Sequence, residues 1–226
     1  MSGAFAEAVR IPPAMLAGVL ESPEHPRGVV VFAHGSGSSR HSPRNRQVAA
    51  ALRERGLATL LFDLLSEREA GSRANVFDVD LLADRLVSAT DWLLRATPLG
   101  AKPFGLFGAS TGAAAALIAA GRRECRAAAV VSRGGRPDLA GAALARVRAP
   151  TLLIVGSLDD AVIELNRQAL AQLACEKQLA VVEGATHLFE EPGALERVCE
   201  LAADWFGGHL HDPGEDSDVR RSQRRR

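Results

Sequence analysis

Pro103-Phe104-Gly105-Leu106-Phe107-Gly108-Ala109-Ser110-Thr111-Gly112-Ala113-Ala114-Ala115-Ala116 is the stretch that decides how this chain is read. An apolar run reaches Gly108, a hydroxyl follows two residues later, a second glycine stands at Gly112, and a string of alanines continues. The spacing predicts a strand, a sharp turn and a helix, the G-x-S-x-G arrangement that holds a serine on a tight strand-to-helix turn. A helix leaving such a turn packs back against its own strand, so the residues flanking the serine must be small. Gly108 and Gly112 meet that need. The first amides of the new helix point at the turn, which places the Thr111 N–H to hold a developing oxyanion. The same five residues also suit a turn that merely caps a helix. The other loops must decide between the two.

The chain has 226 residues, 47% of them hydrophobic, enough to bury a sizeable core in one α/β domain. Acidic and basic residues balance at 27 each, so charge gives no reason to expect a nucleic-acid partner. Cys125, Cys175 and Cys199 show neither paired nor metal-ligand spacing and read as small buried hydrophobes of a reduced, cytoplasmic protein. No basic-then-apolar leader opens the chain and no apolar run is long enough to cross a bilayer, so no membrane association is expected.

Outward from the central stretch, hydrophobic runs and helical periods alternate. Residues 4–9 and 15–20, separated by Ile11-Pro12-Pro13, suit an antiparallel edge pair. Residues 29–33, 57–62, 126–131, 151–155 and 178–182 read as strands, the first as a continuous β-branched run of the kind buried on both faces and the second as a further buried strand. Ser42-Pro43 predicts a helix start and Gly56 its stop. Apolar residues spaced by three and four predict further helices over 76–94, 162–173 and 195–205. Residues 63–74 read as a polar loop long enough to line a site, and 132–149 as an irregular connection. The expected fold is a mostly parallel twisted sheet with helices on both faces, prefaced by the antiparallel edge, over residues 1–210. Residues 211–226 lack apolar periodicity, end in Arg224-Arg225-Arg226 and are expected to be a disordered basic tail.

In such a sheet the loops after the parallel strands gather at one edge. Four of them carry the parts of an acyl-transfer site: Ser110 at the turn, Asp159 and Asp160 after residues 151–155, His187 after residues 178–182, and His34-Gly35-Ser36-Gly37-Ser38-Ser39 after residues 29–33. The order Ser, Asp, His is that of the Ser-His-Asp triad on this kind of sheet. A serine needs a base to become nucleophilic, an imidazole takes and returns its proton near neutral pH, and a carboxylate on the other ring nitrogen fixes the tautomer. Asp159 stands earlier in its loop, whereas Asp160 suits an N-cap, so Asp159 is preferred as the triad acid. The second oxyanion donor is expected from the glycine-rich turn, at the Ser36 N–H or that of Gly37. His34 and Asp63 read as structural.

With these residues placed, the chain resembles the α/β-hydrolase superfamily, and within it the small dienelactone-hydrolase-like proteins without a large lid. The likeness runs from Phe5 to Leu210 and rests on five motifs: the stretch 34–40, Gly108-Ala109-Ser110-Thr111-Gly112, the stretch 132–139, Gly156-x-x-Asp159-x-x-Val162, and Gly184-Ala185-Thr186-His187-Leu188-Phe189. The resemblance also supports Asp159, three residues before an apolar position. Relatives of this kind also occur joined to phosphoribosyltransferase domains, for which this length leaves no room. Dienelactone hydrolases proper carry cysteine where this chain has Ser110, so their substrate does not transfer. The short 132–149 connection implies an open, shallow site for small acyl compounds.

The implied activity is that of a serine hydrolase on a carboxylic ester or related acyl compound, with no cofactor and no metal. A thioesterase or acyltransferase with the same triad, or a binding module on this fold, remain alternatives. Arg40 and Arg133 follow active-edge strands and are candidates to bind a substrate carboxylate or phosphate, against the plainer reading of a solvated arginine surface.

Overall fold

Residues 3–210 are described by a computed structural model, and the expected tail at 211–226 lies outside them. Eight strands form one sheet in the order β1-β2-β4-β3-β5-β6-β7-β8. β1 (Phe5–Ile11) and β2 (Leu16–Ser22) form the antiparallel edge, and β2 also runs antiparallel to β4 (Leu57–Phe62). From β4 onward all neighbours are parallel: β3 (Gly28–Ala33), β5 (Phe104–Ala109), β6 (Ala129–Arg133), β7 (Thr151–Gly156) and β8 (Lys177–Val182). All residues of β3, β4, β5, β6 and β7 are buried, as expected where helices cover both faces.

One face packs against α4 (Val79–Ala96), α5 (Thr111–Ala120) and α6 (Asp160–Gln172), the other against α1 (Pro43–Glu54) and α7 (Ala194–His209). Ser42 caps α1 through its side chain with proline next, as the sequence implied. Every residue of α5 is buried, and its alanines let it lie between the sheet and α4. From β3 the chain crosses to β4 on one side, and β5 returns to the other side of β3. The carboxyl ends of β3 and β5 therefore flank the crevice where ligands settle in open α/β sheets.

Two departures from the sequence reading bear on the site. The loop expected at 63–74 holds two short helices, α2 (Glu67–Ala70) and α3 (Arg73–Phe77); Ser66 and Glu69 form a capping box that starts the first. β6 begins later than expected and extends through Ser132 and Arg133, because its pairing with β5 runs from Gly105↔Ala129 to Ala109↔Arg133. Arg133 is thus the last residue of a buried strand and not part of the connection expected from residue 132 onward. The connection after it carries a 3-10 segment, Pro137–Arg146, kinked at Gly141. No large extra domain is present among the described residues.

Candidate active site

Ser110 sits between β5 and α5 at φ 51° and ψ −122°, a conformation costing a non-glycine residue about 1–3 kcal/mol. Packing on all sides maintains it. Its N–H donates to the Arg133 carbonyl at 3.2 Å, while its own carbonyl accepts from Ala113 N–H at 3.0 Å and Arg136 N–H at 3.1 Å. A Cβ on Gly108 would stand 2.4 Å from the Ala113 Cα, and one on Gly112 would stand 2.3 Å from the Ala33 oxygen. The two glycines thus permit both the return of α5 onto β5 and its approach to the end of β3. The turn after β3 lies against the serine, since a Cβ on Gly35 would come within 3.0 Å of the Ser110 Cβ.

Asp159 and His187 meet across their loops, Nδ1 to Oδ2 at 2.6 Å. With a carboxylate at Nδ1, that nitrogen carries the proton and Nε2 keeps its lone pair. Asp159 itself occupies the N-cap position of α6 but makes no capping hydrogen bond, and Asp160 is the exposed first residue of the helix. The capping position assigned to Asp160 from sequence therefore belongs to Asp159, whose carboxylate is turned to the histidine instead. No hydrogen bond joins Ser110 Oγ to His187 among the described residues, and catalytic contacts of this kind often tighten only with substrate bound.

The histidine loop is held by groups that periodicity did not single out. Glu191 accepts from the Thr186 N–H at 3.1 Å and from its hydroxyl at 2.5 Å, and the Thr186 hydroxyl holds the Glu191 carboxyl below the usual carboxylate range. Phe189, with φ 56°, buries its ring beneath the loop. Leu158 N–H donates to the Ala185 carbonyl at 2.9 Å, and Ser157 Oγ accepts from Gly184 N–H at 2.8 Å. The Asp159 and His187 loops are therefore stitched together before either meets a substrate. The signal in the sequence was Thr186 with a carboxylate five residues later, which resembles many surface turns.

The oxyanion candidates are neighbours, though not free ones. Ser36 N–H donates to Thr111 Oγ1 at 2.8 Å, so the amide expected to face the oxyanion is engaged by the side chain of the other candidate residue. The Thr111 N–H stands at the start of α5. Beyond the turn lies a cavity of ≈ 220 Å³ whose walls include Gly35, Ser36, Asp63, Leu65, Val76 and Leu82. The 63–74 segment thus lines a space next to the turn, where Leu65, Ala70, Val76 and Leu82 form an aliphatic wall with the Asp63 and Glu67 carboxylates beside it.

His34 anchors the turn. Its Nε2 accepts from Leu64 N–H at 3.1 Å, so Nδ1 carries the proton and donates to the Gly35 carbonyl at 2.9 Å. Burial lowers its pKa below 6.5 and prevails over the Gly35 hydrogen bond and the nearby Asp63 charge. The unfolded chain protonates this histidine as pH falls past 6.5 while the folded chain resists, so this stability contribution is complete above that pH and is lost below it. Denaturant midpoints measured across that range are expected to fall more steeply for wild type than for His34→Gln. Equal slopes would remove the assignment.

Of the two arginine candidates, Arg40 is committed elsewhere: its side chain forms an ion pair with Asp63, and its N–H donates to Asp63 Oδ1 at 2.8 Å. Arg133 is buried and stands in β6. The thiols of Cys125 and Cys199 are pushed up by burial, the latter to about 11, so neither is a thiolate at neutral pH. No helix among the described residues is long and apolar enough to cross a membrane.

Comparison with known proteins agrees with this architecture. The chain is 60% identical over 202 residues to a Mycobacterium tuberculosis protein provisionally named phosphoribosyl transferase, covering 89% of this chain and 46% of that one. It thus spans about half the length of the curated relatives it matches. The crystal structure of a dienelactone hydrolase from Anabaena variabilis superimposes with a TM-score of 0.87 at 52% identity, covering 92% of this chain and 98% of that chain. An esterase of Pyrococcus furiosus shares the fold at 18% identity and a TM-score of 0.76, with 92% and 93% of the two chains covered. A model described as alpha/beta hydrolase domain matches residues 26–200, from the start of β3 into α7, and with the sheet order and the Ser110 turn this identifies the chain as a member of the α/β-hydrolase family.

Proposed function

We propose that this protein is a serine hydrolase of carboxylic esters or related small acyl compounds. Ser110 Oγ attacks the acyl carbonyl while His187 Nε2 takes its proton, and Asp159 holds the imidazole in the required tautomer and stabilises the imidazolium. The Thr111 N–H receives the oxyanion. The Ser36 N–H is the second donor, turning from Thr111 Oγ1, which keeps the turn in place until substrate arrives. His187 returns the proton to the leaving group, and water, activated by the same histidine, releases the acyl group and restores Ser110. The aliphatic cavity beside the turn accommodates an apolar part of the substrate.

The observation that carries this reading is the 2.6 Å pairing of Asp159 with His187 at the sheet edge where Ser110 is held in a strained elbow. His209 also meets a carboxylate, Glu176 at 3.3 Å, but away from any such turn; it is the coincidence of the pair with the elbow that distinguishes His187. The dienelactone hydrolase that is 52% identical supports the reaction class. The transferase name belongs to proteins about twice this length, and the segment shared with them includes the hydrolase match; we read that name as describing their other half. Incubation with a fluorophosphonate followed by peptide mass spectrometry is expected to place a covalent adduct on Ser110. Folded protein that takes no label, or takes it elsewhere, would falsify the serine mechanism.

A further inference from the structure

Among the described residues Arg133 is the one Lys, Arg, Asp or Glu that is buried, with 7% of its surface exposed. Its guanidinium has neither a hydrogen bond nor a carboxylate among those residues. Other arginines differ: Arg40 pairs with Asp63, Arg53 with Glu21, Arg85 with Glu69 and Arg136 with Asp138. What Arg133 meets instead is the face of the Phe189 ring, 5.8 Å from its Cζ, and the like charge of Arg44. Arg44 stands between the two cases: its Nη1 reaches Glu190 at 2.9 Å, while its Nε, like those of Arg85 and Arg133, is buried and unpartnered.

Burial and Arg44 lower the Arg133 pKa to about 10, which leaves the group charged at neutral pH. An unpaired cation in such a place is strongly disfavoured, and a buried arginine ordinarily has a carboxylate to offset its desolvation. If the position served only packing, an aliphatic residue would fill it, as Val131 does two residues earlier on the same face. The cation–π contact with Phe189 offsets part of the cost. It does not explain a second arginine alongside.

The place of this pair matters. The Arg133 carbonyl accepts the Ser110 N–H, and a Cβ on the next residue, Gly134, would stand 3.7 Å from His187 Cε1. Phe189, under the guanidinium, is two residues beyond His187. Only Nε of Arg133 is sealed from solvent, so its Nη end keeps the remaining opening. Arg44 belongs to the first turn of α1, where the helix end adds positive potential.

We propose that Arg133, flanked by Arg44, is the receptor for an oxyanion carried by the substrate, a carboxylate or phosphate group remote from the acyl bond being cleaved. Its connection to turnover rests on the serine-hydrolase reading above, whereas its binding of an anion does not. The planar fork of a guanidinium matches two oxygens of either group, and a site poor in water strengthens the contact. No bond is made or broken there. The anion orients the substrate and selects it over neutral analogues.

Binding is tested in the Ser110→Ala protein, where no turnover interferes. Monomethyl succinate and inorganic phosphate are titrated separately, by calorimetry and by thermal melting, and the one that binds identifies the anion. Saturable binding that weakens at least about tenfold in Ser110→Ala/Arg133→Met, and less in Ser110→Ala/Arg133→Lys, is expected. Arg44→Met should weaken it several-fold. Without an anion, Arg133→Met should melt no lower than its parent, because a buried unpaired charge has been replaced by an apolar chain of similar length. In the Ser110-containing protein, the kcat/KM preference for an anionic over a neutral ester should fall about 10- to 100-fold in Arg133→Met, mainly through KM. Failure of both probes to bind, or equal binding after Arg133→Met, overturns the site even if Ser110 is labelled by fluorophosphonate. Binding that depends on Arg133 in a protein that resists labelling upholds the anion site and discards the hydrolase reading alone. Should Arg133→Met not fold, the Lys and Arg44 variants decide on the same readouts.

Discussion

Ser110→Ala is expected to lower kcat/KM for a short activated ester such as p-nitrophenyl acetate by about 10⁵-fold or more, with the melting temperature little changed. The size follows from what the hydroxyl does: it is the attacking oxygen, the neighbouring Thr111 hydroxyl is engaged by the Ser36 N–H, and the remaining oxyanion donors act only on attack by water. His187→Ala should cost nearly as much. Ser110→Ala/His187→Ala should cost no more than the worse single variant, because nucleophile and base act as one unit. Asp159→Asn is expected to lower the rate by roughly 10³- to 10⁴-fold, since an amide favours the wrong imidazole tautomer. Asp160→Asn, exposed on the first turn of α6, should stay within about threefold, as expected of a surface side chain. Penalties that multiply in the double variant would argue against a Ser–His unit. A loss at Asp160 matching that expected at Asp159 would reassign the acid.

How much of this was legible depends on whether a constraint is local. The elbow could be read because its demand for small residues falls on Gly108 and Gly112, two positions either side of Ser110. The central strands could be read because burial on both faces leaves an unbroken apolar run, as in Val29-Val30-Val31-Phe32-Ala33. Asp159 and Asp160 are chemically alike, so the sequence could rank them only by place in the loop and by resemblance, whereas the 2.6 Å contact with His187 belongs to Asp159. The Ser66–Glu69 capping box is local too, but four helical residues are too few to show a period. Long-range facts left little trace. That Ser36 N–H is engaged by Thr111 Oγ1 depends on residues 75 apart in the chain. That Arg133 closes a buried strand depends on pairing with β5, and its composition, Ser-Arg-Gly-Gly, reads as a surface turn. The aliphatic cavity likewise depends on where Leu65, Val76 and Leu82 converge.

Gly112→Ala is expected to destabilise the protein by about 4 kcal/mol or more, a drop in melting temperature on the order of 10 °C. The added Cβ would stand 2.3 Å from the Ala33 oxygen and 2.5 Å from the His34 oxygen. Both obstacles are backbone, so neither yields by changing rotamer. Either α5 withdraws from β3, which every buried residue of α5 resists, or the end of β3 moves and carries His34 and the Ser36 turn away from Ser110. Activity should therefore fall further than unfolding alone accounts for, measured on the fraction that remains folded. Gly207→Ala is the matched control. It introduces the same methyl group in the last turns of α7, where nothing stands within 4 Å of the new Cβ. There the lost backbone freedom of the unfolded chain and the better helix propensity should add about 0.5–1 kcal/mol. Opposite signs from one chemical change would show that Gly112 is required by the approach of one backbone to another at the elbow. Equal, small effects would mean that the turn is looser than its contacts imply, and with it the claim that packing holds Ser110 in its strained conformation would fail.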